Sequence, residues 1–466
     1  MVQFPDCSGR LAVGANACIL SKCLIDTSGR VRLYILQLVG TLISSSQLRR
    51  LVVFVEHFPP FLGSDRTVFE LTRRVVEHNV RVHFVATQPL RYLLGNRPPD
   101  WEYKDNWTHP PPRIHTNITA RYLVLGSRML SLWRLTVPMA YLITLLLFTR
   151  RAINEINRHG ADIVVVANAS PLVGIVALLS ARLAGCRLIM GCPDWMTAYA
   201  ASLTEGRMDS LRLILLNLLE MRLYKGADAV FTVTAFLKRV LTRYGVDPDK
   251  IRVIPNGVDT QQFSPLVDGS DVRRDYGLGA RCVILLSGHL EDWAGVSLVH
   301  DLAGYLDKEF PKSCILLVGT GSSVVSLMES ISRDNLTHMV TYAGLQPFDR
   351  MPEFNGACDI ALCVFPRTFT SHAASPLKIF ESMSAGKAIV ATRVAGTAEV
   401  LDNNTAVLVP PSDTVGICDA VVKLCRDPAL RARLGGNARA IAEGAYSWNR
   451  LAERFLEECS WVMIGR

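Results

Sequence analysis

From Leu51 onward, short uninterrupted apolar runs alternate with helix-length segments whose apolar residues recur every three or four positions. Leu51-Val-Val-Phe-Val55 and Val80-Arg-Val-His-Phe-Val85 predict two strands around an amphipathic helix, and Asp162-Ile-Val-Val-Val-Ala167, Arg187-Leu-Ile-Met190 and Ala229-Val-Phe-Thr-Val233 continue the series. A second series comprises Cys282-Val-Ile-Leu-Leu286, Cys314-Ile-Leu-Leu-Val318, Met339-Val-Thr-Tyr342, Ile360-Ala-Leu-Cys-Val364, Ala388-Ile-Val-Ala391 and Ala406-Val-Leu-Val409. Strands apolar on both faces belong in parallel sheets covered by helices. The polar stretch Asp268-Gly-Ser-Asp271 separates the two series. The predicted class is therefore α/β, with two Rossmann-like, doubly wound parallel-sheet domains facing a cleft, where ligands collect beyond the carboxyl ends of the strands.

Composition narrows the partners. The 466 residues are 49% hydrophobic and 20% charged, the profile of a folded chain. The net charge of +8 suits phosphate-bearing ligands or an anionic membrane surface. No basic tract with interleaved aromatics occurs, so nucleic acid is not expected. The 12 cysteines form no Cys-x-x-Cys, and Cys282, Cys314, Cys358 and Cys363 sit in strand-like runs, as small core residues of a reducing compartment do. The 10 histidines show no metal-ligand spacing, so no built-in metal is expected. Leu11 to Leu20, broken by Gly14 and Asn16 and followed by Lys22, lacks the form of a signal peptide. The expected location is cytoplasmic. The run Leu135 to Phe148, fenced by Arg134 and Arg150-Arg151, falls short of the roughly 20 residues a spanning helix needs. It predicts a core helix in preference to one lying at a membrane face.

Three segments carry candidate chemistry. Phe58-Pro-Pro-Phe-Leu-Gly63-Ser64 leads into a helix whose free N–H groups favour an anion, although a tight turn reads equally well. Ser287-Gly288-His289 and Gly319-Thr-Gly321 follow strands, and glycine there admits a diphosphate or a sugar close to the backbone. Neither completes Gly-x-Gly-x-x-Gly, because Val324 occupies the third glycine's place. The richest segment is Ser371 to Thr392. Ser375 predicts an N-cap, Pro376 the first helical position and Gly386 the helix end. Lys378 then lies in the first turn, where a cation opposes the helix dipole unless an anion is present. Glu381, one turn on, suits a diol such as a ribose, or an intrahelical salt bridge with Lys378.

At this point the chain resembles the family 4 glycosyltransferases of the two-domain GT-B fold. The resemblance runs from about Leu51 to Glu458. It rests on the Phe-Pro-Pro loop with Gly63-Ser64, Tyr224-Lys-Gly-Ala-Asp228, Ile254-Pro-Asn-Gly-Val-Asp259, Leu317-Val-Gly-Thr-Gly321, Ser375 to Gly386, Gly396-Thr-Ala-Glu399, Leu408-Val-Pro-Pro-Ser-Asp413 and Tyr446-Ser-Trp448. Ser-Pro-Leu-Lys-Ile-Phe-Glu381 is similar to a subgroup in which this lysine precedes the glutamate. The resemblance implies retaining transfer of a sugar from a nucleoside-diphosphate sugar, with no obligatory metal or other cofactor. The acceptor would be a sugar, a lipid-linked molecule or a glycoconjugate precursor, and the fenced run Leu135 to Phe148 with the basic balance adds the expectation of peripheral contact at a membrane face. The resemblance further implies an extension of unassigned role over 1–47, an acceptor-side domain over 48–265, a donor domain over 266–445 and a helix over 446–466 crossing back to the first domain.

The departures are specific. Ala373 stands where the family commonly has a first glutamate, and His289 and Ala294 stand where many members have arginine and lysine for the diphosphate. Pro193-Asp194-Trp195 partly matches a first-domain motif of the subgroup. The expected catalytic residues are Asp194, Lys378 and Glu381. The expected donor-binding residues are Gly63, Ser64, Gly288, His289, Gly319, Gly321, Ser375, Lys378 and Glu381. The departures also motivate a second reading, a non-catalytic GT-B protein that binds a sugar nucleotide or acts as a scaffold. A sugar-nucleotide epimerase of the same fold is a third, disfavoured by the subgroup match.

Overall fold

A computed structural model of the chain describes residues 48–56, 63–87, 116–123, 137–198 and 210–464; the extension over 1–47 lies outside them. The first domain holds β1 (Arg50–Val55), β2 (Arg81–Thr87), β3 (Ile118–Leu123), β4 (Ile163–Val166), β5 (Arg187–Cys192), β6 (Ala229–Thr232) and β7 (Ile251–Val253) in the order β3-β2-β1-β4-β5-β6-β7. Its helices are α1 (Gly63–Val75), α2 (Val137–His159), α3 (Pro171–Leu183), α4 (Ser210–Gly226) and α5 (Ala235–Arg243). The second domain orders β8 (Cys282–His289), β9 (Ser313–Thr320), β10 (Val340–Tyr342), β11 (Ile360–Cys363), β12 (Ala388–Thr392) and β13 (Val407–Val409) as β10-β9-β8-β11-β12-β13. Every strand pair is parallel. The predicted two-domain GT-B architecture is therefore the observed one.

The central strands explain why the apolar runs were decisive. All four residues of β4 are buried, as are all of β11 and β12, because helices cover both faces. The predicted strands all form. β3 and β7 were not predicted, and both are edge strands: the residues of β3 alternate between buried and exposed, and β7 has three residues with only Ile251 buried. The run Leu135 to Phe148 falls mostly in α2, which is not the core helix expected. Ala140, Thr144 and Phe148 are buried while Met139, Leu142 and Leu146 are exposed, so the helix is apolar on its outer face as well.

In each sheet the strand order reverses at one point, between β1 and β4 and between β8 and β11. Ligand crevices form at such points. β1 leads toward α1, and β8 ends in Ser287-Gly288-His289, so the two crevices line the seam between the domains. The remaining second-domain helices that reach this seam are α6 (Phe369–Ala373), α7 (Leu377–Ser384) and α8 (Ala395–Ala398).

The chain crosses the seam twice. The segment after β7 meets the returning segment where Val258 N–H donates to Tyr446 O at 2.9 Å and Trp448 N–H to Val258 O at 3.0 Å. From there α9 (Trp448–Ile464) lies on α1, with Trp448, Leu451, Phe455 and Cys459 in the first domain's core. Phe455 meets Phe231 edge-on at 5.7 Å between ring centroids. Phe455→Ala is expected to cost about 3 kcal/mol, the usual price of emptying such a site. Urea unfolding would read this, and an unchanged midpoint would mean that α9 is dispensable to first-domain packing.

Candidate active site

Two helix starts meet at the seam. On the second-domain side α7 begins at Leu377 with Pro376 in the capping position. Ser375 was expected as the cap, but its carbonyl is instead fixed by Asn256 Nδ2 at 2.5 Å, and its buried Oγ has no partner among the described residues. Gly386 ends the helix in the left-handed region, φ +68°, as expected. Lys378 does not pair with Glu381. Its ammonium donates to Ser287 O at 3.0 Å and lies 5.1 Å from the Phe365 ring centroid, so it reaches the end of β8. Burial lowers its pKa, opposed by Cys363 and Glu381. Glu381, 9% exposed, is pushed up to about 7 by burial, against the pull of Arg66 and Lys378.

The glycines divide into two kinds. A Cβ on Gly319 would lie 1.9 Å from Gly288 O, and one on Gly321 would lie 2.0 Å from Leu290 O, so both let the ends of β8 and β9 approach. Gly288, φ +107°, has open space where its Cβ would be. His289 follows it, its pKa held below the usual value by desolvation, against the pull of Glu291 and with a smaller push from Lys378. The structure thus gathers Ser375, Lys378, Glu381, Gly288 and His289 at one place, while Gly319 and Gly321 shape the backbone behind them.

The first-domain wall is built from α1 and the turn after β5. Gly63 and Ser64 open α1. One turn on, Thr67 Oγ1 donates to Asn256 Oδ1 at 2.6 Å, so Asn256 bridges α1 to the start of α7. Arg66 lays its guanidinium on Phe348 of the second domain, 3.3 Å from the ring centroid. Asp194 stands at the carboxyl end of β5, apart from the Lys378 group, and desolvation alone pushes it up to about 7. Glu220 fixes the turn beyond it, accepting from Met196 N and Thr197 N at 3.0 Å each, from Thr197 Oγ1 at 2.6 Å and from Tyr224 OH at 3.2 Å. Trp195 meets Phe369 of α6 edge-on at 5.5 Å. Glu399 closes the seam on this side by accepting from Ala235 N at 2.7 Å and Phe236 N at 2.9 Å, the first amides of α5.

Sequence reasoning missed Arg66, Glu220, Asn256 and Glu399 as site residues. Arg66 carried a readable signal, a cation in the first turn of a helix, the same anomaly that singled out Lys378. Asn256 and Glu399 act through partners far away in the chain, and Glu220 through a turn 23 and 24 positions before it. Folding also brings together His83, Glu155 and His159, whose ligand atoms lie within 4.8 Å of one another. The two imidazoles stack 3.7 Å apart at 15°, so their lone pairs run side by side, and Arg121 already holds Glu155 Oε1 at 2.7 Å. That geometry suits a buried polar knot better than converging metal ligands.

Comparison with known proteins covers both domains. The Glycosyltransferase Family 4 sequence model matches residues 62–262, and that of Glycosyl transferases group 1 matches 281–427. A D-inositol 3-phosphate glycosyltransferase of Acidothermus cellulolyticus is 31% identical over 50% of this chain and 52% of its own length. A GDP-mannose-dependent alpha-(1-6)-phosphatidylinositol monomannoside mannosyltransferase of Mycolicibacterium smegmatis is 26% identical over 51% of this chain and 63% of its own. The chain thus spans between half and two thirds of these curated relatives. Among solved structures, sucrose-phosphate synthase from Thermosynechococcus elongatus superposes with a TM-score of 0.68 at 18% identity, covering 90% of this chain and 100% of that one. HepE of Anabaena, solved with UDP and glucose, gives 0.63 at 17% identity, covering 88% and 98%. These two share the fold.

The buried carboxylates make stability depend on pH. Glu381 rises from 4.5 and Asp194 from 3.8, each to about 7, so between those values the folded chain holds more protons than the unfolded one. Stability that they contribute is complete below the lower values and is lost as pH rises through about 7. Melting temperature measured across this window should fall less in Glu381→Gln and in Asp194→Asn than in the unsubstituted chain. Equal slopes in all three would show that neither carboxyl carries an excess proton.

Proposed function

The chain belongs to glycosyltransferase family 4, and from that premise we propose that it is a retaining glycosyltransferase using a nucleoside-diphosphate sugar as donor. The observation that carries this reading is the meeting of Lys378 and Glu381 with the α7 start and the open backbone at Gly288. Glu381 holds the ribose hydroxyls. Lys378, Ser375 and the free amides at the start of α7 take the diphosphate, and the unpartnered Ser375 Oγ is a ready donor there. As the bond between the anomeric carbon and the diphosphate oxygen breaks, negative charge grows on the leaving group and positive charge on the sugar. Donors already aimed at the leaving oxygens lower that barrier without reorganisation. Protein cations in this position make an obligatory metal unnecessary. Asp194 faces the sugar or the acceptor from the opposite wall.

A lipid-linked acceptor at the cytoplasmic face of a membrane fits the first domain's surface. Met139, Leu142 and Leu146 of α2 and Ile214, Leu215 and Leu218 of α4 are exposed on helices flanking α3, accompanied by exposed Arg150, Arg151, Arg212 and Arg222. Apolar side chains beside arginine suit an anionic bilayer surface. Among the described residues no helix is long and apolar enough to cross a membrane, so this contact would be peripheral. The non-catalytic reading draws on Ala373 and Ala294, both buried, which stand where the resemblance places charged residues in many members. Turnover decides between the two.

Incubation with a panel of nucleotide sugars and lipid or sugar acceptors should release nucleoside diphosphate, and EDTA should leave the rate intact. Lys378→Ala should lose about a hundredfold in turnover, on the order of 3 kcal/mol for one preorganised donor. Affinity for the bare nucleoside should persist. No turnover with any donor and acceptor would favour the binding protein, and loss on chelation restored by magnesium would assign the diphosphate to a metal. Flotation with anionic vesicles should carry the chain upward at low salt, and Leu215→Glu with Leu218→Glu should abolish this. Flotation unchanged by both substitutions would move the contact elsewhere.

A further inference from the structure

The seam holds a second partly buried cation that the proposed function does not use. Arg66 sits in the first turn of α1, where the helix dipole disfavours it, and its side chain is only 21% exposed. A guanidinium carries five N–H donors. Among the described residues its hydrogen bond is a single long one, Nη2 to Glu70 Oε1 at 3.3 Å. Glu70 is heavily shared, since Arg73 Nε lies 2.6 Å from its Oε2 and Arg74 Nη1 is bonded to the same oxygen. Asp259 is shared in turn, 2.7 Å from Arg74 and 3.6 Å from Arg73. Two carboxylates thus serve three arginines.

Arg66 instead uses its planar face, stacked on Phe348 of the second domain, which fixes the guanidinium across the seam and leaves its edge uncommitted. It acts electrostatically on Glu381, as Lys378 does. Two helix starts, each with a cation in its first turn, therefore converge on one carboxyl, and that carboxyl is itself held partly protonated near neutrality. Arg66, Arg73, Arg74 and Lys378 here face Glu70, Asp259, Asp349 and the Glu381 carboxyl, which gives up part of its charge near neutrality. A guanidinium edge with one long bond on one wall and the Lys378 ammonium on the other suit a group carrying two or more negative charges.

We infer that Arg66 is a ligand of the donor's diphosphate, supplied by the first domain in place of the cations absent at His289 and Ala294. The inference rests on the nucleotide-sugar reading above and deepens it. Because Arg66 is carried on α1 while Lys378 is carried on α7, the diphosphate bridges the domains, and donor binding ties them together through charge. A planar fork presents two parallel N–H groups to phosphate oxygens, which the single ammonium of Lys378 cannot do.

Calorimetric titration of the full chain with UDP, GDP and ADP, and with the parent nucleosides, tests this. For whichever diphosphate the unsubstituted chain binds most tightly, Arg66→Gln should weaken binding by about tenfold or more, the loss of a charge-assisted contact. The parent nucleoside should bind as before, and Arg66→Lys should recover part of the diphosphate affinity. Thermal unfolding of each variant establishes that it is folded. Undiminished diphosphate affinity in Arg66→Gln would overturn the assignment. So would equal losses for diphosphate and nucleoside, which would make Arg66 a staple between the domains. If the unsubstituted chain binds none of the three diphosphates, the nucleotide-sugar reading itself fails, and this inference with it.

Discussion

The seam depends first on the side chain of Asn256, 8% exposed, between Thr67 and Ser375. One amide accepts from the helix that opens the first domain's crevice and donates to the residue before the helix that opens the second's. An amide left without partners at such a depth costs on the order of 1–3 kcal/mol, so neither bond exchanges cheaply for water. The two helix starts are therefore set against each other by a residue that belongs to the connection between domains. Lys378 and Glu381 inherit their positions from that arrangement, because both lie within the first two turns of α7.

Charge is distributed around this bridge with a purpose that packing alone does not supply. Carboxylates are placed where donors need acceptors: Glu220 takes backbone amides of the turn after Asp194, Glu399 those at the start of α5, and Asp259 the arginines of α1. The groups aimed into the seam are the less comfortable ones. Lys378 is half-buried beside a carbonyl and an aromatic ring, and Asp194 and Glu381 are both driven toward protonation by lost hydration. Displaced titration of this kind gathers where a protein binds or transforms charged ligands.

How much of this was legible in the sequence follows from how each feature is encoded. Central strands such as β4 and β12 are apolar on both faces, and a continuous run announces them without any knowledge of neighbours. β3 and β7 have one neighbour each, so half of their residues may stay polar and the run disappears. Lys378 was visible because its local setting is wrong for a solvated lysine. Ser375 had the right residue type for a cap, but a long-range bond from Asn256 took its carbonyl and Pro376 became the cap. Asn256 and Glu399 carry no local anomaly at all; their partners lie 119 and 164 positions away. A single sequence contains such pairs without marking them.

The two crossings of the seam are themselves bonded side by side, Val258 to Tyr446 and to Trp448. A single strand between two bodies would bend and twist about several axes, as a thread does. Two strands held in register behave as a strap, flexible across its width and stiff to torsion. Relative motion of the domains is thereby reduced toward one rotation, and the helix α9, clamped to the first domain at the far end, prevents the strap from peeling apart. In the language of mechanisms, the seventeen residues of α9 serve as a bearing.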